Sequence, residues 1–151
     1  MPDETTLEPT EIALADITVT KFIAASPEDV FDAWIDVDAM KQWMGPGTVT
    51  VKEAAMDVRV GGKWSILMQD EDKDHPHWGA YRIIDRPRKL EFSWISPNTQ
   101  ERETIVTIDL KPSEGGTNLT LTHRGLPTQS SADGHKRGWT SIMEKLAGYC
   151  G

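Results

Sequence analysis

The histidines are the residues of this chain best suited to proton transfer or metal binding. There are four of them. His123 and His135 fall on expected regular elements, a strand and a helix, where they could form a general acid–base pair or bracket a ligand. The plainer alternative is a satisfied, partly buried histidine at each position. His75 and His77 belong to Asp70-Glu71-Asp72-Lys73-Asp74-His75-Pro76-His77, a run that invites a metal reading. A calcium loop needs glycine at its sixth position and glutamate at its twelfth, and here those are His75 and Tyr81. Zinc on His75 and His77 lacks a third ligand at usual spacing. The run therefore reads as a solvated acidic hairpin loop, and no metal is expected. Asp57 and Arg59, if on a strand, share a face. They give either an ion pair orienting the Gly61-Gly62 turn or a catalytic pair, and the ion pair is the commoner outcome. Cys150 is next to the last residue, an unconvincing place for a nucleophile. With no phosphate loop, nucleotide fingerprint or Gly-x-Ser-x-Gly, neither catalytic residues nor a cofactor is expected.

A second group is larger and mostly aromatic. Trp43, Met56, Trp64, Met68 and Trp78 belong to it, with Tyr81, Trp94, His123, His135 and Trp139. A cavity lined by these would be mainly apolar with a few polar groups, the usual chemistry of a small-molecule site. Tyrosine and tryptophan add a polar atom to a large apolar body, which suits aromatic or polycyclic ligands. The alternative is that the same rings only fill the core.

The element that must position them is the stretch from Ser130 to Tyr149. His135, Trp139, Ile142, Leu146 and Tyr149 recur at steps of four, three, four and three, which places them on one face of a helix. Gly134 and Gly138 each precede a stripe residue. Glycine inside a helix costs about 1 kcal/mol against alanine, so these two suggest close approach of something to the helix backbone. Earlier in the chain, Ile17, Val19 and Lys21 share a face of a first strand. Ser26-Pro27-Glu28-Asp29 starts a helix carrying Val30, Phe31 and Trp34. Asp36 or Asp38 caps a second short helix, which Gly45-Pro46-Gly47 ends. From Thr48 to His123 the pattern is strand after strand: Val49 and Val51, then Trp64 to Met68, then Gly79 to Ile84. Leu90 to Trp94, Thr104 to Leu110 and Leu119 to His123 follow, with turns between. The expected fold is α+β: a curved antiparallel sheet of about seven strands wrapped on a long C-terminal helix. Two short helices lie between the first and second strands.

Composition bounds the function. The chain has 151 residues and a formal net charge of −8. That is one domain with a real core, and a poor match for nucleic acid or an anionic membrane surface. No apolar run is long enough to span a bilayer. Residues 1–14 read as an acidic flexible tail without signal-peptide character, leaving 15–151 as the folded domain. With one cysteine no internal disulfide is possible, and a cytoplasmic location fits best.

With these residues placed, the chain resembles the START-like (SRPBCC) helix-grip superfamily. Within it, the chain resembles the branch named for the activator of heat-shock protein 90 ATPase, homologue-type. The resemblance covers Ile17 to Tyr149. It rests on Ser26-Pro27-Glu28-Asp29-Val30-Phe31-Asp32-Ala33-Trp34, Trp43-Met44-Gly45-Pro46 and Met56-Asp57-Val58-Arg59-Val60-Gly61-Gly62-Lys63-Trp64. Further marks are Gly79-x-Tyr81, Arg88-Lys89-Leu90-Glu91-Phe92-Ser93-Trp94, Gly115-Gly116-Thr117 with Leu119-Thr120-Leu121, and Gly134-His135 with Gly138-Trp139. It implies a helix-grip domain with a cavity between helix and sheet, and, with apolar residues on outer strand faces, a homodimer. The separate N-terminal chaperone-binding domain of the eukaryotic co-chaperone has no counterpart here. Three functions follow, in order. The first is a non-catalytic binder of a hydrophobic or aromatic small molecule. The second is a cyclase, dehydratase or hydrolase acting on a polyketide-like or aromatic substrate. The third is a stress-response module acting on a chaperone, which would expose a broad apolar patch.

Overall fold

The computed structural model describes residues 15–151, and the expected acidic tail lies outside the described residues. The order is β1 (Ala15–Ile23), α1 (Pro27–Trp34), α2 (Val37–Trp43), β2 (Thr50–Met56), β3 (Lys63–Asp70), β4 (Lys73–Asp85) and β5 (Lys89–Trp94). A 3-10 turn (Pro97–Thr99), β6 (Thr104–Ser113), β7 (Gly116–Leu126) and α3 (Gln129–Cys150) complete it. The strands form one antiparallel seven-stranded sheet in the order β1-β7-β6-β5-β4-β3-β2. This is the α+β helix-grip architecture, with the two short helices between the first two strands as expected.

Local chemistry sets the helix starts. Ser26 Oγ accepts the Asp29 amide at 3.1 Å, and Pro27 takes the first helical position, where its missing N–H costs nothing. The Asp36 carboxylate accepts from the amides of Asp38 and Ala39 at 2.9 and 3.2 Å. Thr128 Oγ1 accepts from Ser131 at 3.0 Å to open α3. Each bond satisfies a donor that the first helical turn leaves unpaired.

Curvature has its own local causes. The ladder slips between Ala15 and Ile17, between Val51 and Glu53, and between Tyr81 and Ile83; an extra residue on one strand bends it. The sharpest departure lies between β4 and β5. Between the Trp78–Ile95 bridge and the Tyr81–Phe92 pair, the Ser93 hydroxyl replaces a ladder partner and accepts the Ala80 amide at 2.9 Å. Trp64 Nε1 donates to the Ser93 carbonyl at 3.2 Å. Gly79 is required there, because a Cβ would stand 1.9 Å from the Ser93 oxygen.

The concave face holds the core, in which Ile23, Phe31, Leu119, Leu121 and Leu146 are fully buried with Trp34, Trp43 and Trp139. Trp34 and Trp43 meet edge to face at 4.7 Å, a favoured aromatic geometry. Lys21 reaches from β1 to Glu144 of α3 at 3.0 Å. The α3 stripe differs from expectation at one end. Trp139, Ile142 and Leu146 are buried, but Tyr149 is 49% exposed. The helix ends beside Ala24, just past β1, so Tyr149 has little sheet beneath it.

The acidic run also differs from expectation. Only Glu71 and Asp72 form the turn, Asp70 pairs with Lys73, and His75 and His77 lie on β4 opposite Met68 and Ile66. Glu71 takes φ 57° to close the hairpin. Pro76 is tolerated because β4 has no ladder partner on its other side until Trp78. His77 is 6% exposed, so this is a half-buried strand with inward histidines and not a solvated loop. Asp57 to Arg59 follow the end of β2 and do not continue it; the expected ion pair between them forms at 2.9 Å.

Candidate functional site

A cavity of about 530 Å³ opens between the N-terminal half of α3 and the concave face of the sheet. Four walls form it: α3 from Ser130 to Ile142, the inner face of the β3–β4 hairpin, the end of β5 with the turn at residues 97–100, and the loop at residues 46–49. Side chains of α3 fix the two loops. Ser131 Oγ donates to the Asn98 carbonyl at 2.7 Å. Ser141 Oγ accepts the Gly47 amide at 2.8 Å, and Lys145 Nζ donates to the Gly45 carbonyl at 2.6 Å. Gly134 and Gly138 face the cavity, and what they spare is cavity space. A Cβ at position 138 would make only ordinary contact with Pro46 at 3.9 Å, and one at 134 would meet only Arg137 at 3.9 Å.

Of the ten residues expected to line a ligand cavity, Met68, Trp94, His135 and Trp139 do so. Met56, Trp64 and Tyr81 border a separate void of about 20 Å³, too small for more than a water. Burial there pushes the Tyr81 phenol up to about 12. Trp43 is fully buried in the core, its Nε1 donating to the Ala33 carbonyl at 3.2 Å. Trp78 points to the convex face and is 37% exposed, because it alternates with inward His77 and Gly79. His123 lies behind the lining, with 0% exposure.

The partners of His123 assign its tautomer. Trp139 Nε1–H is only a donor, and it meets His123 Nδ1 at 3.0 Å; that nitrogen therefore carries no proton. Nε2–H then donates to Thr104 Oγ1 at 2.7 Å. Burial, and then His135 nearby, hold this imidazole well below its ordinary range. His123 is a satisfied core histidine that orients the Trp139 ring, and the plainer reading of it holds.

His135 is different. Its Nδ1 lies 2.7 Å from the Ser131 carbonyl, an acceptor only, so Nδ1 carries the proton and Nε2 presents a lone pair. Burial lowers its basicity, partly offset by the Ser131 carbonyl. Its ring stands edge-on to His123 at 5.0 Å. Ser131 Oγ is 3.4 Å from His135 Nδ1, but both groups donate to carbonyls, so they do not form a nucleophile–base dyad.

Residues that the sequence did not assign to the site include His75, His77, Asn98, Gln100 and Ser131. His77 packs against Trp94 at 4.9 Å between ring centroids. Burial lowers it to about 4, and its Nδ1 is buried without a partner, as is Trp94 Nε1. A usable signal was alternation, since His75, His77, Gly79 and Tyr81 share parity, but charge and Pro76 masked it. None of the lining residues is Asp, Glu, Lys or Arg. Among the described residues no group of three or more potential ligands could hold a metal ion, and no helix is long and apolar enough to cross a membrane. The arrangement can enclose an uncharged ligand and hydrogen-bond it through imidazole, amide and hydroxyl groups. Burial weakens His77 and His135 as bases.

Comparison with known proteins gives a consistent picture. No curated protein matches the sequence. Among solved structures, an AHSA1 protein from Silicibacter pomeroyi is 29% identical with a TM-score of 0.77, covering 89% of this chain and 96% of its own. A protein from Chromobacterium violaceum is 22% identical with a TM-score of 0.81, covering 89% and 96%. The solution structure of an AHSA1-like protein from Aeromonas hydrophila is 20% identical with a TM-score of 0.76, covering 89% and 91%. The last two show the fold alone. The family model described as activator of Hsp90 ATPase homolog 1-like protein matches residues 24–151. With that match over most of its length, the chain belongs to the family of activator of Hsp90 ATPase homolog 1-like proteins.

Proposed function

We propose that this protein binds a small hydrophobic or aromatic molecule in the cavity between α3 and the sheet, without transforming it. The observation that carries the reading is the cavity itself. At about 530 Å³ it lies within the range of small-molecule sites, and it joins an apolar wall to a few polar groups. Trp94 and Trp139, 5.0 Å apart between centroids, form the aromatic wall. The enzymatic reading finds less support. It needs an activated nucleophile or a well-matched acid–base pair, whereas burial weakens His77 and His135 as bases.

An interaction module acting on a chaperone would need a broad exposed apolar patch. Among the described residues, the large exposed apolar side chains are Phe22, Val58, Val60, Trp78 and Tyr149. Phe22 on β1 and Trp78 on β4 are separated by β7, β6 and β5, about 19 Å at ordinary strand spacing. A homodimer is the assembly the resemblance implies; sedimentation over a dilution series tests it, and monomer alone at tens of micromolar would remove it. A cytoplasmic setting accords with the acidic composition and single cysteine.

The direct test is titration with N-phenylnaphthylamine, an uncharged probe whose emission rises in apolar surroundings. We expect saturable binding at one site, weakened about thirtyfold or more in Gly134→Phe, where a ring fills the cavity. The unfolding midpoint of that variant should not fall, because replacing a helical glycine relieves a propensity cost. A parent protein that binds no apolar probe would sink the reading.

A further inference from the structure

Resting on that reading, we propose that the cavity selects an uncharged aromatic molecule bearing a hydroxyl group, whose proton is donated to Nε2 of His135. Three observations converge. First, His135 is fixed in one tautomer: its Nδ1–H is committed to the Ser131 carbonyl at 2.7 Å, so the opposite nitrogen is an acceptor. Nε2 has no hydrogen-bond partner among the described residues, and the ring lines the cavity. A hydroxyl matches a lone pair of this kind, whereas an ether or a hydrocarbon leaves it unpaired.

Second, the acceptor stands beside an aromatic wall. Trp139 follows His135 by one helical turn on the same face of α3, and Trp94 lies 5.0 Å from Trp139. The Trp139 ring is itself held by its bond to His123. A planar ring placed against these indoles brings a substituent at its edge towards His135.

Third, the cavity has no acidic or strongly basic side chain to neutralise a formal charge. Its lining contains no acidic residue, lysine or arginine, and burial keeps His77 and His135 neutral at physiological pH. A charged ligand would lose hydration without gaining a counter-ion, and an anion would also face a chain of net charge −8. One feature opposes this. The first turn of α3, with Ser130 and Ser131, faces the cavity, and helix N-termini favour anions. A carboxylate is therefore the sharpest competitor to compare.

The experiment measures four probes of one shape at neutral pH by calorimetry: naphthol, its methyl ether, naphthoate and naphthylmethylammonium. Naphthol should bind about tenfold more tightly than the methyl ether, as one buried hydrogen bond allows. It should bind at least about thirtyfold more tightly than either ion. In His135→Phe, which keeps a planar ring, naphthol and its ether should bind equally, and in His77→Phe the tenfold preference should persist. Because the readout is a ratio, a modest change in fold stability does not obscure it. Equal binding of naphthol and its ether by the parent would overturn the proposal while leaving the apolar-binder reading intact. So would tighter binding of naphthoate, or a preference that survives in His135→Phe. Failure of all four probes to bind would overturn both.

Discussion

His77 carries an acid sensitivity that follows from its place on β4. In the folded protein burial lowers it to about 4 from an ordinary 6.5. Between those values the unfolded chain binds a proton that the folded chain refuses. Stability is therefore full above about pH 6.5, falls as pH drops towards about 4, and then levels off for this group. The span corresponds to about 3 kcal/mol. Denaturant midpoints of the parent and of His77→Phe, measured from pH 7.5 down to pH 4, should differ in slope over this window. Parallel curves would show that the ring ionises freely in the fold. Trp139 is a second residue with a separable role. Trp139→Phe keeps a ring but leaves His123 Nδ1 buried and unpaired, at a cost of about 1–3 kcal/mol. Trp139→Ala adds a cavity and should lower stability by about 3–5 kcal/mol. A Trp139→Phe variant as stable as the parent would mean that the hydrogen bond contributes nothing, and equal losses in the two variants would mean that the packing of the ring adds nothing to it.

At the scale of elements, the glycines divide by what surrounds them. Gly79 sits where β4 crosses the Ser93 carbonyl, and a methyl group there would overlap backbone at 1.9 Å. Gly79→Ala should therefore cost 3 kcal/mol or more, above the usual range for overpacking because neither strand can yield. Gly134→Ala, in open space on α3, should raise stability by about 1 kcal/mol. Thermal melts of the two variants should move in opposite directions, and a stabilised Gly79→Ala would contradict the crease between β4 and β5. The loop from Gly45 to Val49 is a different kind of element, held by α3 through Ser141 and Lys145. Lys145→Met removes the donor to two carbonyls. It should speed amide exchange in that loop while leaving the central strands unchanged; uniform acceleration would mean that the latch is global.

The whole molecule is a sheet gripped along one side by a helix, and its stability should be graded accordingly. β5, β6 and β7 lie inside the sheet order, whereas β1 and β2 are its edges. Amide exchange should be slowest in the interior strands and fastest in β2 and the 45–49 loop. Addition of a binding probe should add protection at residues 45–49, 97–100 and the first turns of α3. Those segments form three of the cavity walls. Protection spread evenly over the sheet would instead indicate global stabilisation without a defined seat for the probe.

What could be read from the sequence was whatever depends on short-range pattern. Ser26-Pro27, Asp36 and the stripe of Trp139, Ile142 and Leu146 announce helices, because caps and periodicity act within a few residues. Regular alternation from Trp64 to Met68 and from Thr104 to Leu110 likewise announces strands with one buried face. Four of the cavity residues, Met68, Trp94, His135 and Trp139, were legible as inward positions on those elements. The tertiary structure decided which inward positions face a cavity and which face one another. Trp43, Trp64 and Tyr81 have the same residue chemistry as Trp94 and Trp139, yet the crease at Gly79 and the placement of α1 and α2 close the core over them. The β3–β4 hairpin was misread for a similar reason. Charge and proline are local signals for a loop, but strand pairing with Met68 and Ile66 overrides them and turns His75 and His77 inward. The tautomer of His135, and with it the hydrogen-bonding character of the cavity, depends on a carbonyl one helical turn away, a contact that exists only once α3 has formed.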